Sequence, residues 1–278
     1  MQRRRDFQLS RLCRSEACSG MKLIQSSDNS FFKELVKLAG SARLRGKENL
    51  TLLDGAHLLA AYLDAGLMPQ HIMLNAAALR DEEIIALLGR LNGVPVTQLD
   101  DRLFAELSEL KTSTGILALI NLPQPAAGQS RFALLLEDIQ NPGNLGSMLR
   151  SAAAAGCDAV YLSPCCADAW SPKVLRAAMG GHFALRIYEQ QDLPAVAKAF
   201  EGTLLATSLQ AAHSLYDCDL RGTVAFLVGN EGAGLSGDLL SLATQTITIP
   251  MPGKAESLNA AAATAICLFE AVRQREGL

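Results

Sequence analysis

The chain has 278 residues, more than a typical single domain, so two compact units or one large α/β unit are expected. Hydrophobic residues make up 49% of it and charged residues 19%, enough apolar surface for a sizeable core, yet no apolar run approaches the roughly 20 residues of a membrane-spanning helix. The formal net charge of -3 argues against a protein that is basic over its whole surface, but it allows a local basic face.

Charge is distributed unevenly along the chain. Residues 1–50 carry eleven Lys and Arg against five Asp and Glu, so one end of the chain could meet a polyanion. The first 20 residues contain five arginines but no apolar segment of a secretory signal. We therefore predict a disordered basic tail over residues 1–21.

The seven cysteines are odd in number and lack paired C-x-x-C spacing, which indicates reduced, buried thiols rather than disulfides or a zinc site. The four histidines show no metal-ligand spacing either. We therefore expect a cytoplasmic protein that has no metal centre and no membrane span.

Between Lys22 and Leu122 the hydrophobic pattern changes repeatedly between helical and strand-like periods. The predicted helices are 31–38, 58–63 and 82–91, and the predicted strands are 50–53 and 71–74. These elements predict one small α/β domain over residues 22–122. Residues 123–130 are rich in Pro, Gly and small side chains, so they are the best candidate for a linker.

From residue 131 to residue 278, apolar strands alternate with helices. The predicted strands are 132–136, 159–162, 203–206, 224–228 and 246–249, and the predicted helices are 145–156, 172–179 and 258–273. Strands that are apolar throughout and separated by helices indicate a parallel sheet covered on both faces. Ligands of such sheets bind at the carboxyl ends of the strands, so the loops that follow strands are the candidate site.

The first such loop runs from Glu137 into a helix and contains Asn144 and Arg150, six residues apart. We interpret Asn144 as the helix N-cap, with Arg150 directed at a substrate phosphate or ribose nearly two turns later. A capped helix with a solvated arginine is the alternative that the spacing leaves open.

The second loop, Gly229–Ser236, follows an apolar strand and reads G-x-x-G-x-G, which differs from the G-x-G-x-x-G of dinucleotide-binding proteins. Its glycines allow the backbone to approach a ligand closely, and Glu231 adds a hydrogen-bond acceptor. A plain flexible turn is the alternative.

The third loop, Ile249–Ala263, passes through Pro and Gly residues into an alanine-rich helix. We interpret Ser257 as the N-cap of this helix and place Asn259 in its first turn, where exposed N–H groups can hold a ligand. A well-packed core helix would show the same small residues.

Taken together and in this order, the three loops resemble the signature motifs of the SpoU/TrmH family of RNA 2'-O-ribose methyltransferases, in the SPOUT superfamily. The matching residues are Asn144 and Arg150 (N-x-x-x-x-x-R), Gly229–Gly234 (G-x-E-x-x-G), Ile249–Gly253 (I-P-M-x-G) and Ser257–Asn259 (S-L-N). The N-terminal segment Leu52–Leu58 is also similar to the family's substrate-binding domain, with Asp54 where the family commonly has Glu. The resemblance covers nearly everything after Met21.

Membership of this family would imply a C-terminal SPOUT-type parallel sheet with a trefoil knot, an exception to the rule that chains are unknotted. A small α/β substrate-binding domain of ribosomal-protein-like fold would precede it. The resemblance also implies a homodimer with each active site near the subunit interface. The implied reaction moves a methyl group from S-adenosylmethionine to the 2'-hydroxyl of a ribose in structured RNA, either rRNA or tRNA.

Carried over by position, the resemblance assigns cofactor contacts to Thr207, Gly229, Ile249 and Leu258. It assigns the catalytic side to Asn144, Arg150, Glu231, Ser257 and Asn259. Because a free guanidinium loses its proton only above about pH 12, we interpret Arg150 as stabilising the developing alkoxide or orienting the adjacent phosphate rather than as a base.

Contacts to RNA phosphates are expected from Arg43, Arg45 and Lys47 in the N-terminal domain. Lys173 and Arg176 belong to a helix that the resemblance places near the active site, so they are further candidates. Ordinary solvated helix charges are the alternative for these last two residues.

Two other classes of function compete with a methyltransferase. A non-catalytic RNA-binding module of the same fold is disfavoured because all motif residues are intact. A nucleotide-dependent oxidoreductase or kinase is disfavoured because the G-x-G-x-x-G and Walker A sequences are missing.

Overall fold

The computed structural model describes residues 21–108 and 114–277. The predicted basic tail, apart from Met21, lies outside the described residues. The chain divides into two compact units: the first contains the residues up to Leu122 together with Trp170–Pro172, and the second contains Pro123–Ala169 and the residues from Lys173 onward. Among the described residues, no helix is long and apolar enough to cross a membrane.

The first unit is built on a five-stranded mixed sheet in the order β1-β4-β3-β5-β2, in which β5 runs antiparallel to both of its neighbours. Its strands are β1 (Lys22–Ile24), β2 (Leu50–Asp54), β3 (His71–Leu74), β4 (Val96–Leu99) and β5 (Ile116–Asn121). Its helices are α1 (Ser30–Gly40), α2 (Ala42–Glu48), α3 (Ala56–Asp64), α4 (Glu82–Leu88) and α5 (Asp101–Leu107). Helix α1 buries Phe32, Leu35 and Leu38, which recur at helical spacing and pack against this sheet.

Arg45 of α2 is buried inside the first unit, at 5% exposure. Its Nη1 donates to the carbonyl oxygens of Leu38 and Ala39, both at 2.7 Å. These carbonyls belong to the last turn of α1, where backbone acceptors have no partner within the helix and a cation is favourable. The buried guanidinium therefore stabilises the end of α1. This burial contradicts the predicted contact between Arg45 and an RNA phosphate.

The second unit is built on a seven-stranded sheet in the order β10-β12-β9-β11-β6-β7-β8, and all of its strand pairs are parallel. Its strands are β6 (Phe132–Leu136), β7 (Ala159–Leu162), β8 (Arg186–Tyr188), β9 (Thr203–Thr207), β10 (His213–Ser214), β11 (Val224–Val228) and β12 (Gln245–Thr248). Its helices are α6 (Pro142–Ala154), α7 (Pro172–Ala178), α8 (Leu193–Ala199), α9 (Gly237–Leu242) and α10 (Ala260–Glu276).

The central strands β6 and β11 are buried along their whole length, which confirms the predicted parallel sheet. Five of the described strands were not predicted from the sequence: β1, β4, β5, β8 and β10. Strands β1, β8 and β10 lie at sheet edges and have only two or three residues, too few to show a period.

Two helices have N-caps other than those predicted. Asn141, and not Asn144, is the N-cap of α6: its Oδ1 accepts two backbone N–H groups of the first turn at 2.8 and 3.3 Å. Asn259, and not Ser257, caps α10 in the same way, at 2.9 and 3.3 Å. As a result, the side chain of Asn144 is not needed by its own helix and can bind other groups.

The predicted linker contains no helix or strand, and it is attached to the second unit. Arg186 donates from Nη1 to the carbonyl of Gly128 at 2.9 Å and from Nη2 to that of Gln129 at 3.0 Å. The hydroxyl of Tyr188 donates to the carbonyl of Ala126 at 3.0 Å. These three hydrogen bonds hold residues 126–129 against the second unit, so the segment is not a free linker.

Candidate active site

A cleft of about 670 Å³ lies at the carboxyl edge of the parallel sheet, where β12, β9 and β11 are neighbours. The loops that follow these three strands form its walls, as expected for a ligand site in a parallel α/β sheet. The lining includes residues 207–210 after β9, residues 228–235 after β11, and residues 249, 251 and 257–260 after β12.

The cleft brings together most of the residues that the motifs selected. The four residues assigned to the cofactor, Thr207, Gly229, Ile249 and Leu258, all line it. From the catalytic set, Glu231, Ser257 and Asn259 line it as well. Asn144 reaches the cleft through hydrogen bonds to two of these three residues.

Asn144 links the second and third motifs. Its Nδ2 donates to Oε1 of Glu231 at 2.7 Å, and its Oδ1 accepts from Nδ2 of Asn259 at 3.0 Å. The orientation of the Asn144 amide follows from its partners, because a carboxylate only accepts. Asn144 is 87 residues from Glu231 and 115 residues from Asn259, so the folded chain alone creates this row of side chains.

The loop that carries Glu231 is folded around Asn230. Oδ1 of Asn230 accepts from the backbone N–H groups of Gly232 and Ala233 at 2.9 and 3.0 Å. Its Nδ2 donates to the carbonyl of Asp138 at 2.9 Å. Asn230 therefore ties the second motif to the loop after β6 and holds the backbone from which Glu231 projects.

Asp138, the anchor of Asn230, adopts an unusual left-handed conformation with φ of 55°. The hydroxyl of Ser163 accepts from the N–H of Asp138 at 2.9 Å and donates to its Oδ1 at 2.6 Å. A residue other than glycine in this region is strained by about 1 kcal/mol or more, and persists only where the surroundings fix it. Ser163 supplies such fixation and thereby places the carbonyl that Asn230 uses.

Gly229 is the first residue of the second motif, and it lies where the two ends of the motif loop are in contact. A Cβ at this position would overlap the backbone of Gly234 and Leu235. The requirement for glycine thus comes from close approach of the two ends of the loop, since the φ of Gly229 lies outside the left-handed region.

The cleft is apolar inside and polar at its mouth. Cys267 of α10 forms part of the inner wall, and burial, with a smaller effect of Cys218, raises the pKa of its thiol to about 12. Cys267 is therefore a neutral, apolar wall residue at physiological pH. Glu231, Ser257 and Asn259 are exposed and supply the polar groups of the mouth.

Comparisons with known proteins agree with this geometry. The SpoU rRNA Methylase family profile matches residues 131–269, and the MRM3-like substrate binding domain profile matches residues 29–118. The 23S rRNA (guanosine(2553)-2'-O)-methyltransferase RlmP of Bacillus subtilis (strain 168) is 34% identical over 252 residues, which cover 90% of this chain and 98% of RlmP. The chain belongs to the SpoU rRNA methylase family.

Solved methyltransferase structures share the fold over 90–91% of this chain. An RNA 2'-O ribose methyltransferase superposes with a TM-score of 0.79 at 30% identity, covering 91% of this chain and 99% of the other. The SpoU methyltransferase AviRb from Streptomyces viridochromogenes, in complex with the cofactor AdoMet, gives a TM-score of 0.78 at 26% identity, covering 90% and 100%. The family assignment made from the three motifs is confirmed.

Arg150 does not line the cleft of this SpoU methylase. It is exposed on α6, and six residues along a helix place it about 9 Å from Asn144 along the axis and about 240° around it. The hydrogen-bonded row of Glu231, Asn144 and Asn259 therefore does not include Arg150.

Lys173 and Arg176 lie on α7 and are exposed, three residues apart on one face. Helix α7 packs closely on α6, because a Cβ on Gly146 of α6 would overlap the side chain of Ala177. The two basic residues therefore belong to the helix that lies beside the one carrying Arg150. Arg43 and Lys47 are exposed on α2 of the first unit.

The roles of Asn141 and Asn230, and the wall that residues 208–210 form in this SpoU methylase, were not predicted from the sequence. Asn141 had a usable signal, since it precedes Pro142 and proline is favoured at the first position of a helix. Asn230 lies inside the second motif, whose glycines and glutamate alone indicated a ligand site. Residues 208–210 carry no motif, and only their position after a strand could have indicated them.

Proposed function

We infer that this chain transfers a methyl group from S-adenosylmethionine to the 2'-hydroxyl of a ribose in RNA. The observation that carries this inference is the row of Asn144, Glu231 and Asn259, which joins the three family motifs at the mouth of the cleft. The name of RlmP gives the same reaction on 23S rRNA, and AviRb binds AdoMet. The enzyme is an RNA 2'-O-ribose methyltransferase.

The cleft fits S-adenosylmethionine in size and in chemistry. Its volume of about 670 Å³ falls within the roughly 300–1,000 Å³ of small-molecule sites. Ile249 and Leu258 offer apolar cover for a flat adenine ring, while the backbone at Thr207 and Gly229 offers hydrogen-bonding groups next to the closely approaching Gly229–Gly234 loop. When bound, the cofactor supplies a transferable methyl group on a positively charged sulfur.

The polar mouth then has the task of placing the ribose. Transfer to oxygen requires the 2'-hydroxyl to be held in line with the methyl group, and pre-arranged side chains provide this alignment. Glu231 and Asn259 are fixed through Asn144, and Ser257 adds a hydroxyl beside them. We assign these four residues to binding and orienting the ribose, and Arg150 to stabilising negative charge on its oxygen.

A homodimer would reconcile the role of Arg150 with its position outside the cleft. Two large apolar side chains are exposed close to or along α10: Leu258, 38% exposed at the cleft, and Phe269, 47% exposed. Helix α10 packs against α6, which carries Arg150. We propose that a second copy covers these exposed apolar side chains and that its Arg150 completes the site.

We propose rRNA as the substrate class. RlmP, which aligns with 90% of this chain, is named as a methyltransferase of 23S rRNA. A Synechocystis relative, 32% identical over 92% of this chain, is described as a tRNA/rRNA methyltransferase, which keeps tRNA in the test. The proposed RNA contacts are Arg43 and Lys47 in the first unit and Lys173 and Arg176 in the second.

The remaining proposals concern the whole chain. Residues 22–122 form the RNA substrate-binding domain, residues 123–130 the linker, and residues 131–278 the SPOUT methyltransferase domain with its trefoil knot. The free thiols of the five described cysteines support a cytoplasmic location. Among these five, only Cys157 and Cys267 are buried as expected; Cys166 and Cys218 are half-buried, and Cys165 is exposed.

The test is incubation of purified protein with methyl-labelled S-adenosylmethionine and unmodified rRNA or tRNA, followed by mass spectrometry of the nucleosides. A 2'-O-methylated nucleoside from rRNA is expected, and Asn144→Ala should abolish it. A 2'-O-methylated nucleoside from tRNA alone would keep the reaction and change the substrate. Cofactor binding without transfer to either RNA would favour the non-catalytic RNA-binding module.

A further inference from the structure

The first unit contains a groove of its own between α1 and α2, with a volume of about 630 Å³. Its walls are formed by Val36, Lys37, Gly40, Arg43, Leu44 and Lys47. This α1–α2 groove is made entirely of first-unit residues. The family comparison assigns residues 29–118 to a substrate binding domain without naming a surface.

The rim of the α1–α2 groove is positively charged. Helices α1 and α2 together contain five basic and two acidic residues. Lys37 and Arg43 are exposed, and neither makes an ion pair with a carboxylate within the described parts of the chain. Lys47 pairs with the adjacent Glu48 at 3.0 Å, but both side chains are solvated, so this pair is weak.

The end of helix α1 would normally repel an anion at this place, because its last carbonyl oxygens carry partial negative charge. Here the buried Arg45 donates to two of these oxygens, those of Leu38 and Ala39, both at 2.7 Å. A phosphate beside Gly40 therefore meets a neutralised helix end rather than bare carbonyls. The structural role of Arg45 thus makes the groove more favourable for an anion.

The floor of the groove determines which part of a polyanion it can recognise. Half-buried Val36 and Leu44 provide aliphatic surface, and no aromatic side chain is among its lining residues. Bases of single-stranded nucleic acids are usually held by stacking on aromatic rings. Cations without such rings favour contacts to the phosphate backbone, which add affinity but carry no sequence information.

We propose that the α1–α2 groove binds the phosphate backbone of the RNA substrate through Lys37, Arg43 and Lys47. This proposal rests on the proposed function and adds a surface and a residue, Lys37, to it. RNA bound there is held outside the chemical step, so the groove acts on substrate affinity and not on the rate of methyl transfer.

Gly40 allows a direct test, because a Cβ there meets no atom within 4 Å and its φ is not in the left-handed region. A charge series of Gly40→Glu, Gly40→Ala and Gly40→Lys therefore changes the potential of the groove with little steric effect. We expect Gly40→Glu to weaken RNA binding about three- to tenfold, Gly40→Ala to leave it unchanged and Gly40→Lys to strengthen it, with kcat constant in all three. Equal RNA affinity across the series would overturn the proposal.

Salt dependence gives a second measurement. Lys37→Gln and Arg43→Gln should each reduce the slope of log affinity against log salt by about 0.7 to 0.9, the value for one lost phosphate contact. The matched control is Arg90→Gln, which removes an exposed arginine of the same unit that pairs with Asp64 at 2.7 Å outside the groove. Slopes for Lys37→Gln and Arg43→Gln that equal the control slope would contradict the proposal.

The two proposals fail in distinguishable ways. If wild-type protein methylates RNA while the groove variants bind RNA like the wild type, only the groove assignment is wrong. If wild-type protein neither binds nor methylates RNA, both the proposed function and the groove assignment are wrong.

Discussion

Asn230 is the residue on which the geometry of the second motif depends most. Its side chain accepts two loop N–H groups and donates to Asp138, and a typical hydrogen bond contributes about 0.5–1.5 kcal/mol to stability. Asn230 contacts the loop and not the reacting groups, so it is a positioning residue. Its loss should let Glu231 drift away from Asn144.

We predict that Asn230→Ala lowers kcat about tenfold or more, while KM for RNA changes only a few-fold, because binding through other contacts persists. The matched control is Asn75→Ala in the first unit, which also removes two hydrogen bonds to loop N–H groups, from Ala77 and Ala78. Steady-state kinetics on both variants are the measurement. If Asn230→Ala keeps the kcat of Asn75→Ala, the positioning role is refuted.

His182 introduces a pH dependence of stability in the second unit. It is fully buried, and its Nε2 donates to the carbonyl of Ala169 at 2.7 Å, since a carbonyl can only accept. Burial lowers the pKa of His182 from 6.5 to about 4. Between these two values the unfolded chain binds a proton that the folded chain does not, so folding is favoured less as the pH falls.

We therefore predict that the free energy of unfolding decreases from pH 6.5 to about 4 and that His182→Gln, which keeps an N–H donor, shows a weaker decrease over this range. Urea denaturation at several pH values measures this difference. Parallel curves for the two proteins would show that His182 does not titrate on unfolding. Carboxylates common to both proteins do not affect the comparison.

The loop between β11 and α9 tolerates little change at its first residue. Gly229 lies against Gly234 and Leu235 with no space for a methyl group. Adding one forces the ends of the loop apart, and this loop forms one wall of the cleft.

We predict that Gly229→Ala folds but binds S-adenosylmethionine at least about tenfold more weakly, since a shifted wall loses several contacts at once. Isothermal titration calorimetry gives the Kd. The control is Gly237→Ala in the first turn of α9, where a Cβ meets no atom within 4 Å. Equal cofactor affinity in the two variants would mean that the cofactor does not use the Gly229 wall.

The position of Arg150 concerns the assembly of the protein as a whole. It is exposed on α6 and absent from the lining of its own cleft, whereas Glu231 is inside it. If a partner subunit supplies the arginine, each site combines Glu231 of one protomer with Arg150 of the other. An isologous dimer contains two such sites.

We predict that Arg150→Ala and Glu231→Ala are each inactive alone and that dimers re-formed from an equal mixture regain about a quarter of wild-type activity. Half of the re-formed dimers are mixed, and one of their two sites is intact. The control is each variant re-formed with itself. A monomer in analytical ultracentrifugation, or no recovery in the mixture, would refute the shared site.

Elements with strong local signals were predicted correctly from the sequence. Strands such as Phe132–Leu136 and Val224–Val228 are apolar throughout because both faces are covered, so their bounds agree with those predicted. The three motif loops were identified because glycine, proline and capping residues mark backbone requirements that are local in the chain. The SpoU family followed from these motifs, and the resemblance to that family then implied the cleft-lining residues Thr207, Gly229, Ile249 and Leu258.

Contacts between side chains that are distant in sequence could not be predicted from local signals. The bond between Asn144 and Glu231 spans 87 residues, and the burial of Arg45 depends on how α1 ends beside α2. Asn141 could have been predicted as the cap of α6 from Pro142, but the partners of Asn144, Glu231 and Asn259, could not, because they are distant in sequence. These contacts depend on the free energy of packing between segments far apart in sequence. Local periodicity and residue preference carry no information about that free energy.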